Sequence, residues 1–550
     1  MERPWLKFYD PGVPYHIDYP QIPLDRILDN AVRDFPGTEA ILFQGRKITY
    51  RQLGEEVAHL ASGLAQMGLK KGQRLAIMLP NCPQYIAAYY AILKIGGIVV
   101  NVSPMYVERE LEFQLRDAGV ETILALRDLY PRLAAVREKV SLKTIILTDL
   151  HVNGGERTQR QSGTTTAEGI YEYAELIAMG KRLPPPAVQV NPGEVALLQY
   201  TGGTTGFSKG AMLTHRNLVS DVLQCVRWNQ DAVKGQERML AVLPFFHVYG
   251  MTVAMNEAIE LAATIILLPR FNVDEALEAI NLYRPTRFPG VPTMYMAIIN
   301  HPQARKYNIS SIRVCSSGSA PMPIEAQKRF EELTGAKISE GYGLTEASPV
   351  THANPFMGKR KIGSIGLSRP DTDAKIVDLE TGEKDRPPGE EGELCIRGPQ
   401  VMLGYWNRPE ETEKALRNGW LYTGDIARMD EEGYFYIVGR KKDMIICSGY
   451  NVYPREVEEV LYQHPKIQEA CIVGVPDPYR GETVKAFVVL KEREPATAEE
   501  IIEFCRKNMA KYKIPTQVEF RQELPKSHVG KVLRKILREE ETKRRSRLPG

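Results

Sequence analysis

The sequence predicts an α/β fold. The expected layout is a large N-terminal domain of αβ-layered subdomains with a β-rich subdomain, then a small α+β C-terminal domain. Three observations predict it. Strand-like and helix-like patterns alternate between residues 25 and 101, the signature of parallel sheet covered by helices. From 362 to about 404 the pattern changes to short strands separated by Gly- and Pro-containing turns. Beyond 443, about 110 residues could form a compact unit of their own. At 550 residues the chain is too long for a single hydrophobic core.

In chain order, 31–35 reads as helix, 41–43 as strand, and 53–67 as amphipathic helix. Residues 74–79 then read as strand and 83–95 as helix. The segment 153–169 is polar, rich in Gly, Thr and Gln, and reads as a surface loop. Residues 195–199, Val-Ala-Leu-Leu-Gln, are apolar enough for a buried strand. The apolar stretch 251–268 contains Glu257 and Glu260 and reads as buried helix and strand rather than a membrane span. Strands at 374–377 and 392–396 flank the turn signals Thr381-Gly382 and Pro387-Pro388-Gly389. A boundary falls near 439–443. After it come candidate elements at 456–462, 470–475, 484–490, 498–509 and 531–540.

Composition excludes several classes. A formal charge of +3 gives no basis for nucleic-acid binding. Seven cysteines with no CxxC pair point to reduced thiols and a cytoplasmic protein. The start, Met-Glu-Arg-Pro-Trp-Leu-Lys, lacks the apolar core of a signal peptide. Membrane contact, if made, would be peripheral, at the inner face of the membrane. The basic run Lys543, Arg544, Arg545 and Arg547 reads first as a solvated tail, and secondarily as a weak attraction to an anionic surface. A homodimer is compatible with the sequence.

Residues 200–210, Tyr-Thr-Gly-Gly-Thr-Thr-Gly-Phe-Ser-Lys-Gly, are the most informative stretch. Gly202, Gly203 and Gly206 let backbone N–H groups approach an anion closely. Thr201, Thr204, Thr205, Ser208 and Lys209 add donors and charge. The spacing is not that of a Walker A loop, because Lys209 lies only three residues after Gly206.

Seven further motifs follow in order. They are Leu-Pro-Phe-Phe-His-Val-Tyr (243–249), Ser-Ser-Gly-Ser-Ala-Pro (316–321), Glu-Gly-Tyr-Gly-Leu-Thr-Glu (340–346), Trp-Leu-Tyr-Thr-Gly-Asp (420–425), Gly439-Arg440, Ser-Gly-Tyr-Asn-Val-Tyr-Pro-Arg-Glu (448–456), and Leu-Pro-Lys (524–526) through Gly530-Lys531. In this order they resemble the adenylate-forming superfamily of acyl-CoA synthetases, luciferases and peptide-synthetase adenylation domains. The nearest resemblance is to bacterial long-chain fatty-acid–CoA ligases, over almost the whole chain. It implies a mobile C-terminal domain, with residues 1–439 as the N-terminal domain, 440–443 as hinge and 444–550 as the C-terminal domain. It also implies fatty acid, ATP, Mg2+ and coenzyme A as substrates and cofactors, and a two-step reaction through acyl-AMP.

The resemblance assigns roles residue by residue. Glu346 resembles the Mg2+ carboxylate, Thr345 the hydroxyl at the α-phosphate and Tyr342 the ring near adenine, within a motif that also contains Glu340, Gly341 and Gly343. In isolation Thr-Glu also reads as a helix cap. Gly318, Ser319 and Ala320 resemble the small-residue segment along the adenine and the acyl carbonyl. Asp425 resembles the ribose carboxylate, with Arg440 beside it; alone, an Asp after Gly reads as a turn residue. His247 would steer the substrate carboxylate or gate its tunnel, with Val248, Tyr249 and Gly250 next to it. Lys531 is expected to drive adenylation, because a long-stemmed ammonium can reach both carboxylate and α-phosphate. Lys442 matches the hinge position, and Ser448, Gly449 and Tyr450 match the loop that approaches pantetheine. Residues 248–255 and 288–295 contain no Arg or Lys for a second carboxylate, and read equally as tunnel or ordinary core. The alternatives are a medium-chain or aryl acid–CoA ligase, a carrier-loading adenylation module, and a non-catalytic acyl- or lipid-binding protein.

Overall fold

Two large sheets and two five-stranded sheets organise the chain. The computed structural model describes residues 2–150, 168–201, 208–447, 450–477, 480–492, 494–527 and 530–546. The first large sheet has a parallel centre. Its strands run in the order Lys337–Gly343, Val314–Ser317, Arg287–Gly290, Arg238–Ala241, Thr264–Leu267 and Glu39–Phe43. The second runs from Ile170–Glu172 through Thr144–Thr148, Thr122–Leu126, Arg74–Met78 and Ile98–Asn101 to Val195–Thr201. It ends in the antiparallel strands Lys209–Thr214 and Gly404–Tyr405. The helix Pro83–Lys94 is apolar on nearly every side and buried along almost its whole length, as expected for a helix enclosed by neighbours. Its residues share one core with Ile41 and Met239 of the first sheet and Leu75 and Leu197 of the second.

Helix starts follow local chemistry. Thr49 opens the helix Tyr50–Gln66 with a capping box: its hydroxyl accepts from the Gln52 N–H at 3.3 Å, and the Gln52 side chain accepts from the Thr49 N–H at 2.9 Å. Thr214 and Asn217 repeat the device for His215–Trp228. The apolar stretch expected as buried helix and strand is a π-helix, Gly250–Asn256, then the helix Glu257–Glu260 and the strand Thr264–Leu267.

The β-rich part is larger than the sequence suggested. The expectation ended near 404, whereas the antiparallel sheet joins Asp373–Val377 and Gly392–Arg397 to the hairpin Trp420–Met429 and Phe435–Arg440. Residues 445–520 contribute a separate sheet, with Gly481–Leu490 between Ile467–Asp477 and Ile445–Cys447. The helices Pro454–Tyr462, Ala498–Asn508 and Arg534–Ser546 accompany it. The last helix was expected at 531 but begins at Arg534, because Val532 bridges back to Lys526 in extended backbone. The polar loop expected at 153–169 lies outside the described residues apart from 168 and 169. All seven cysteines are buried, without disulfides. No described helix is long and apolar enough to cross a membrane.

The N-terminal segment straps the β-rich part to the first sheet. Trp5 packs on Phe435 at 6.0 Å between ring centroids. The Asp10 carboxylate, buried, accepts the backbone N–H groups of Phe356 (2.8 Å), Met357 (3.0 Å) and Gly358. Asp10→Ala would orphan three backbone donors in a closed environment. We expect a cost of about 1–3 kcal/mol, seen in calorimetry as a lower first unfolding transition. An unchanged transition would mean that the strap carries no stability.

Candidate active site

The candidate site lies where Val314–Ser317 and Lys337–Gly343 end, at the carboxyl edge of the parallel sheet, the usual ligand position in such folds. Asp425 and Arg440 are fifteen positions apart in sequence but directly opposed across the hairpin Trp420–Met429/Phe435–Arg440. Arg440 Nε lies 3.0 Å from Asp425 Oδ1. The Tyr342 hydroxyl donates to Asp425 Oδ2 at 2.6 Å. Asp425 is buried, so both carboxylate oxygens are pointed by partners. Such a carboxylate can accept vicinal hydroxyls if either partner moves aside.

Gly318, Ser319 and Ala320 form a ledge just after Val314–Ser317, and Ser319 takes a left-handed φ of +67°. The ledge rests on Tyr249, whose hydroxyl donates to the carbonyls of Ser316 (2.9 Å) and Gly290 (3.3 Å). Glu340 lies beneath it. One carboxylate oxygen accepts the Met322 N–H at 3.2 Å, and the other is buried without a hydrogen-bond partner. Burial pushes the Glu340 carboxyl up to about 7. Gly341 and Gly343 pair with Ala353 and Val350 across the sheet edge, framing Tyr342.

On the opposite side, Thr201 and Lys209 pair across the base of a hairpin whose loop carries the glycine-rich run. Gly202, Gly203, Thr204, Thr205 and Gly206 lie outside the described residues. Ser208 donates to the Thr201 carbonyl. The Lys209 ammonium pairs with Glu411 and sits 5.2 Å from the centroid of the Tyr405 ring. Thr345 and Glu346 open a short 3-10 turn, Thr345–Ala347. The Tyr405 hydroxyl donates to Glu346 Oε1 at 2.7 Å. Glu346 has no cage of protein ligands, since no group of three or more His, Cys, Asp or Glu is clustered among the described residues. That donor set fits Mg2+, which combines one or two carboxylates with substrate phosphates and water.

His247 is half-buried, and its Nδ1 accepts from the Tyr249 N–H at 3.3 Å. Val248 is buried in the main core. Gly250 starts the π-helix, and a Cβ there would stand 2.3 Å from the Pro244 carbonyl, so only glycine fits. Phe288 and Tyr295, within the second candidate acyl segment, pack on each other in the core with ring centroids 5.2 Å apart.

Lys531 reaches the same site from the other side. Its loop is folded by reciprocal bonds: the Lys531 N–H donates to Ser527 Oγ at 3.2 Å, and the Ser527 N–H donates to the Lys531 carbonyl at 2.7 Å. Gly530, with φ +74°, presses on the large domain, where a Cβ would stand 2.6 Å from Thr293 Oγ1. The Arg440 guanidinium and burial push the Lys531 ammonium down to about 7, against the pull of Asp425. No carboxylate among the described residues lies within ion-pair distance of it. Lys442, two residues past Arg440, lies at the surface, and desolvation of its ammonium together with the Arg440 charge lowers it to about 8. Tyr450 is brought to a different place: it is 58% exposed and stacks on Tyr512 at 4.7 Å. Ser448 and Gly449 lie outside the described residues.

Sequence reasoning missed Tyr405 and Glu411. Their run, Gly-Tyr-Trp-Asn-Arg-Pro-Glu-Glu at 404–411, reads as a turn and a helix start. Its only functional signal is a tyrosine held in a two-residue strand against Lys209–Thr214, which appears only once the strands pair.

Known proteins match the chain along nearly its whole length. Residues 28–406 match the AMP-binding enzyme family, and residues 456–531 match the AMP-binding enzyme C-terminal domain. The chain is 48% identical to a long-chain-fatty-acid–CoA ligase of Bacillus subtilis over 552 aligned positions, covering 98% of each protein. It is 40% identical to a long-chain-fatty-acid–CoA ligase of Escherichia coli O6:H1, again covering 98% of each. Among solved structures, it resembles an anthranilate CoA ligase in complex with anthranoyl-AMP. That match has a TM-score of 0.86 and 26% identity, over 96% of this chain and 98% of the other.

The geometry makes a direct prediction for Lys531. Arg440→Met removes the nearest repelling charge and frees Asp425 to attract the ammonium. Both effects raise the Lys531 pKa from about 7 toward the ordinary lysine value of 10.5. Titration of 13C-dimethylated lysine by NMR reads this directly. An unmoved Lys531 resonance in Arg440→Met would show that the two cations do not sense each other.

Proposed function

The chain belongs to the AMP-binding enzyme family, and from that premise we propose that it is an AMP-forming long-chain fatty-acid–CoA ligase. One observation supports this most strongly. Lys531, from the small domain, stands at a site that already holds Asp425, Arg440 and Tyr342. The relatives named for long-chain acids match over nearly their full length.

A fatty carboxylate is inert toward a thiol, because oxide is a very poor leaving group. In the first step one carboxylate oxygen attacks the α-phosphorus of ATP. A P–O bond forms, the bond to the β-phosphate breaks, and pyrophosphate leaves with acyl-AMP retained. In the second step the thiolate of coenzyme A attacks the acyl carbon and AMP leaves, the thiol proton passing to solvent. Asp425 and Arg440 would hold the ribose, the 318–320 ledge and Tyr342 the adenine, and Thr345 the α-phosphate. Lys209 and the 202–206 loop would hold the β- and γ-phosphates. Glu346 would hold Mg2+, which when bound supplies charge neutralisation at the polyphosphate. Lys531 would bridge the carboxylate and the α-phosphate as negative charge builds between them. Partly discharged near pH 7 beside Arg440, it regains its proton when anions occupy the site.

The second step needs different neighbours. Lys531 and residues 448–450 belong to the same small domain, and Tyr450 is exposed and stacked on Tyr512. We take residues 440–443 as the hinge about which 444–550 rotates against 1–439. Residues 441–443 form a turn, with the Asp443 N–H on the Arg440 carbonyl at 2.9 Å and the Lys441 N–H on the Gly424 carbonyl at 3.0 Å. A few such residues can absorb a large backbone change. The absence of Arg and Lys from 248–255 and 288–295 favours an acid with a single carboxylate and an aliphatic tail. Acids of that kind partition into bilayers, which fits peripheral contact with a membrane surface.

A pyrophosphate-release assay across acids of increasing length, with and without coenzyme A, tests the reading. Release should peak with long chains, and product should appear as thioester only when coenzyme A is present. A peak at aryl or medium-chain acids would replace the long-chain assignment. Lys531→Ala should slow acyl-AMP formation by about 100-fold or more while sparing thioester formation from supplied acyl-AMP. Equal loss in both steps would overturn that division. Lys442→Pro fixes φ and removes an N–H. Single-turnover rates should show the thioester step impaired more than adenylation, whereas normal thioester formation would remove Lys442 from the hinge.

A further inference from the structure

Residues 402–406 are stitched between the two halves of the phosphate site. The Met402 N–H donates to the Glu346 carbonyl at 2.8 Å, the Leu403 N–H to the Met212 carbonyl at 3.0 Å, and the Trp406 N–H to the Gly210 carbonyl at 2.8 Å. Tyr405 pairs with Ala211, two residues beyond Lys209, and its N–H donates to Thr412 Oγ1 at 2.9 Å. Its backbone is therefore fixed on three sides.

The half-buried side chain then touches both charged groups of the phosphate site. Its hydroxyl donates to Glu346 Oε1 at 2.7 Å. Its ring lies under the Lys209 ammonium at 5.2 Å, within cation–π range. Glu411, on the adjoining helix Pro409–Ala415, completes the set by pairing with Lys209.

We infer that Tyr405 is a positioning residue for Mg·ATP. It holds Glu346 by one oxygen, so that the other points toward the cation, and keeps Lys209 on the same side through its ring. The inference rests on the metal role given to Glu346 above. A carboxylate with two free rotors would lose conformational freedom on binding a cation. A hydroxyl that already fixes one oxygen removes part of that cost. A phenol is protonated throughout the neutral range at its ordinary value, so the hydroxyl remains a donor there. Glu411 holds Lys209 until phosphate oxygens replace it.

Tyr405→Phe keeps the ring and removes only the hydroxyl. In the full-length enzyme, the Mg2+ concentration giving half-maximal acyl-AMP formation should rise about five- to tenfold, the scale of one net intramolecular hydrogen bond. The limiting rate at saturating Mg2+ should change less. Conversion of supplied acyl-AMP by coenzyme A should not change. Independently of turnover, the thermal stabilisation given by ATP at fixed low Mg2+ should shrink and recover as Mg2+ is raised, while that given by AMP stays as in the parent. Tyr405→Leu should weaken ATP stabilisation even at high Mg2+, because the ring is lost too. If Tyr405→Phe titrates with Mg2+ like the parent while Glu346→Gln does not, the Tyr405 inference falls alone. If neither variant shifts the titration, the metal role of Glu346 falls and takes the inference with it. If Tyr405→Phe weakens the AMP response and both half-reactions alike, Tyr405 is a structural residue and the inference is overturned.

Discussion

Lys531 and Arg440 repel each other, and much of the architecture serves to hold both near Asp425. Two cations at one small site are unfavourable without anions between them. The strain shows as a lysine pushed down to about 7 although Asp425 draws it the other way. Asp425 cannot neutralise both, since one oxygen already faces Arg440 and the other Tyr342. A ligand that brings a phosphate and a carboxylate removes the repulsion. Charge alone would therefore favour anions at this site.

Holding such a lysine in place requires contacts from outside the charge cluster. Gly530 packs on Thr293, and the Arg455 guanidinium donates to the Ile437 carbonyl at 2.7 Å, tying the helix Pro454–Tyr462 to the large domain. Asp443 pairs with Arg534 at 3.3 Å and Arg538 at 2.8 Å, joining the turn 441–443 to the last helix. Among the described residues, the Arg455 guanidinium bonds across the boundary to the Ile437 and Gly363 carbonyls, while the small domain is held internally by ion pairs and its own core. Such internal contacts would persist if the boundary contacts were exchanged.

The juxtaposition of Asp425, Arg440 and Tyr342 was legible in the sequence, since a site for polyphosphate and ribose would demand particular residue types. Asp425 and Arg440 could be named fifteen positions apart, and the hairpin register sets them opposite each other. Tyr405 and Glu411 were not legible, because a tyrosine after glycine and a glutamate in a first helical turn are common anywhere. Their proximity to Lys209 arises from the pairing of Gly404–Tyr405 with Lys209–Thr214, a contact of nearly 200 residues in separation. The β-rich part was cut short at 404 for a related reason. The strand Trp420–Met429 belongs to that sheet through pairing with Gly392–Arg397, and its local pattern carries no mark of the partner. Val248, Phe288 and Tyr295 show the limit for apolar segments: tunnel wall and core use the same residues, and these three are core.

Tyr249 links the start of the π-helix to the 318–320 ledge. Its N–H is taken by His247 Nδ1, and its hydroxyl is split between the Ser316 and Gly290 carbonyls at the ends of two adjacent strands. Its ring lies under Gly318, where a Cβ would approach to 3.2 Å. The π-helix Gly250–Asn256 begins one residue later, and Thr252 within it donates to the Ser348 carbonyl at 2.7 Å, just past the turn bearing Glu346. π-Helical turns are uncommon and gather at functional sites. Here the π-helix begins directly after Tyr249 and lies wholly in the core. A shift of the helix that begins at Gly250 therefore has to move the 318–320 ledge or break a hydrogen bond made by Tyr249. Close packing makes such a linked movement discrete rather than graded.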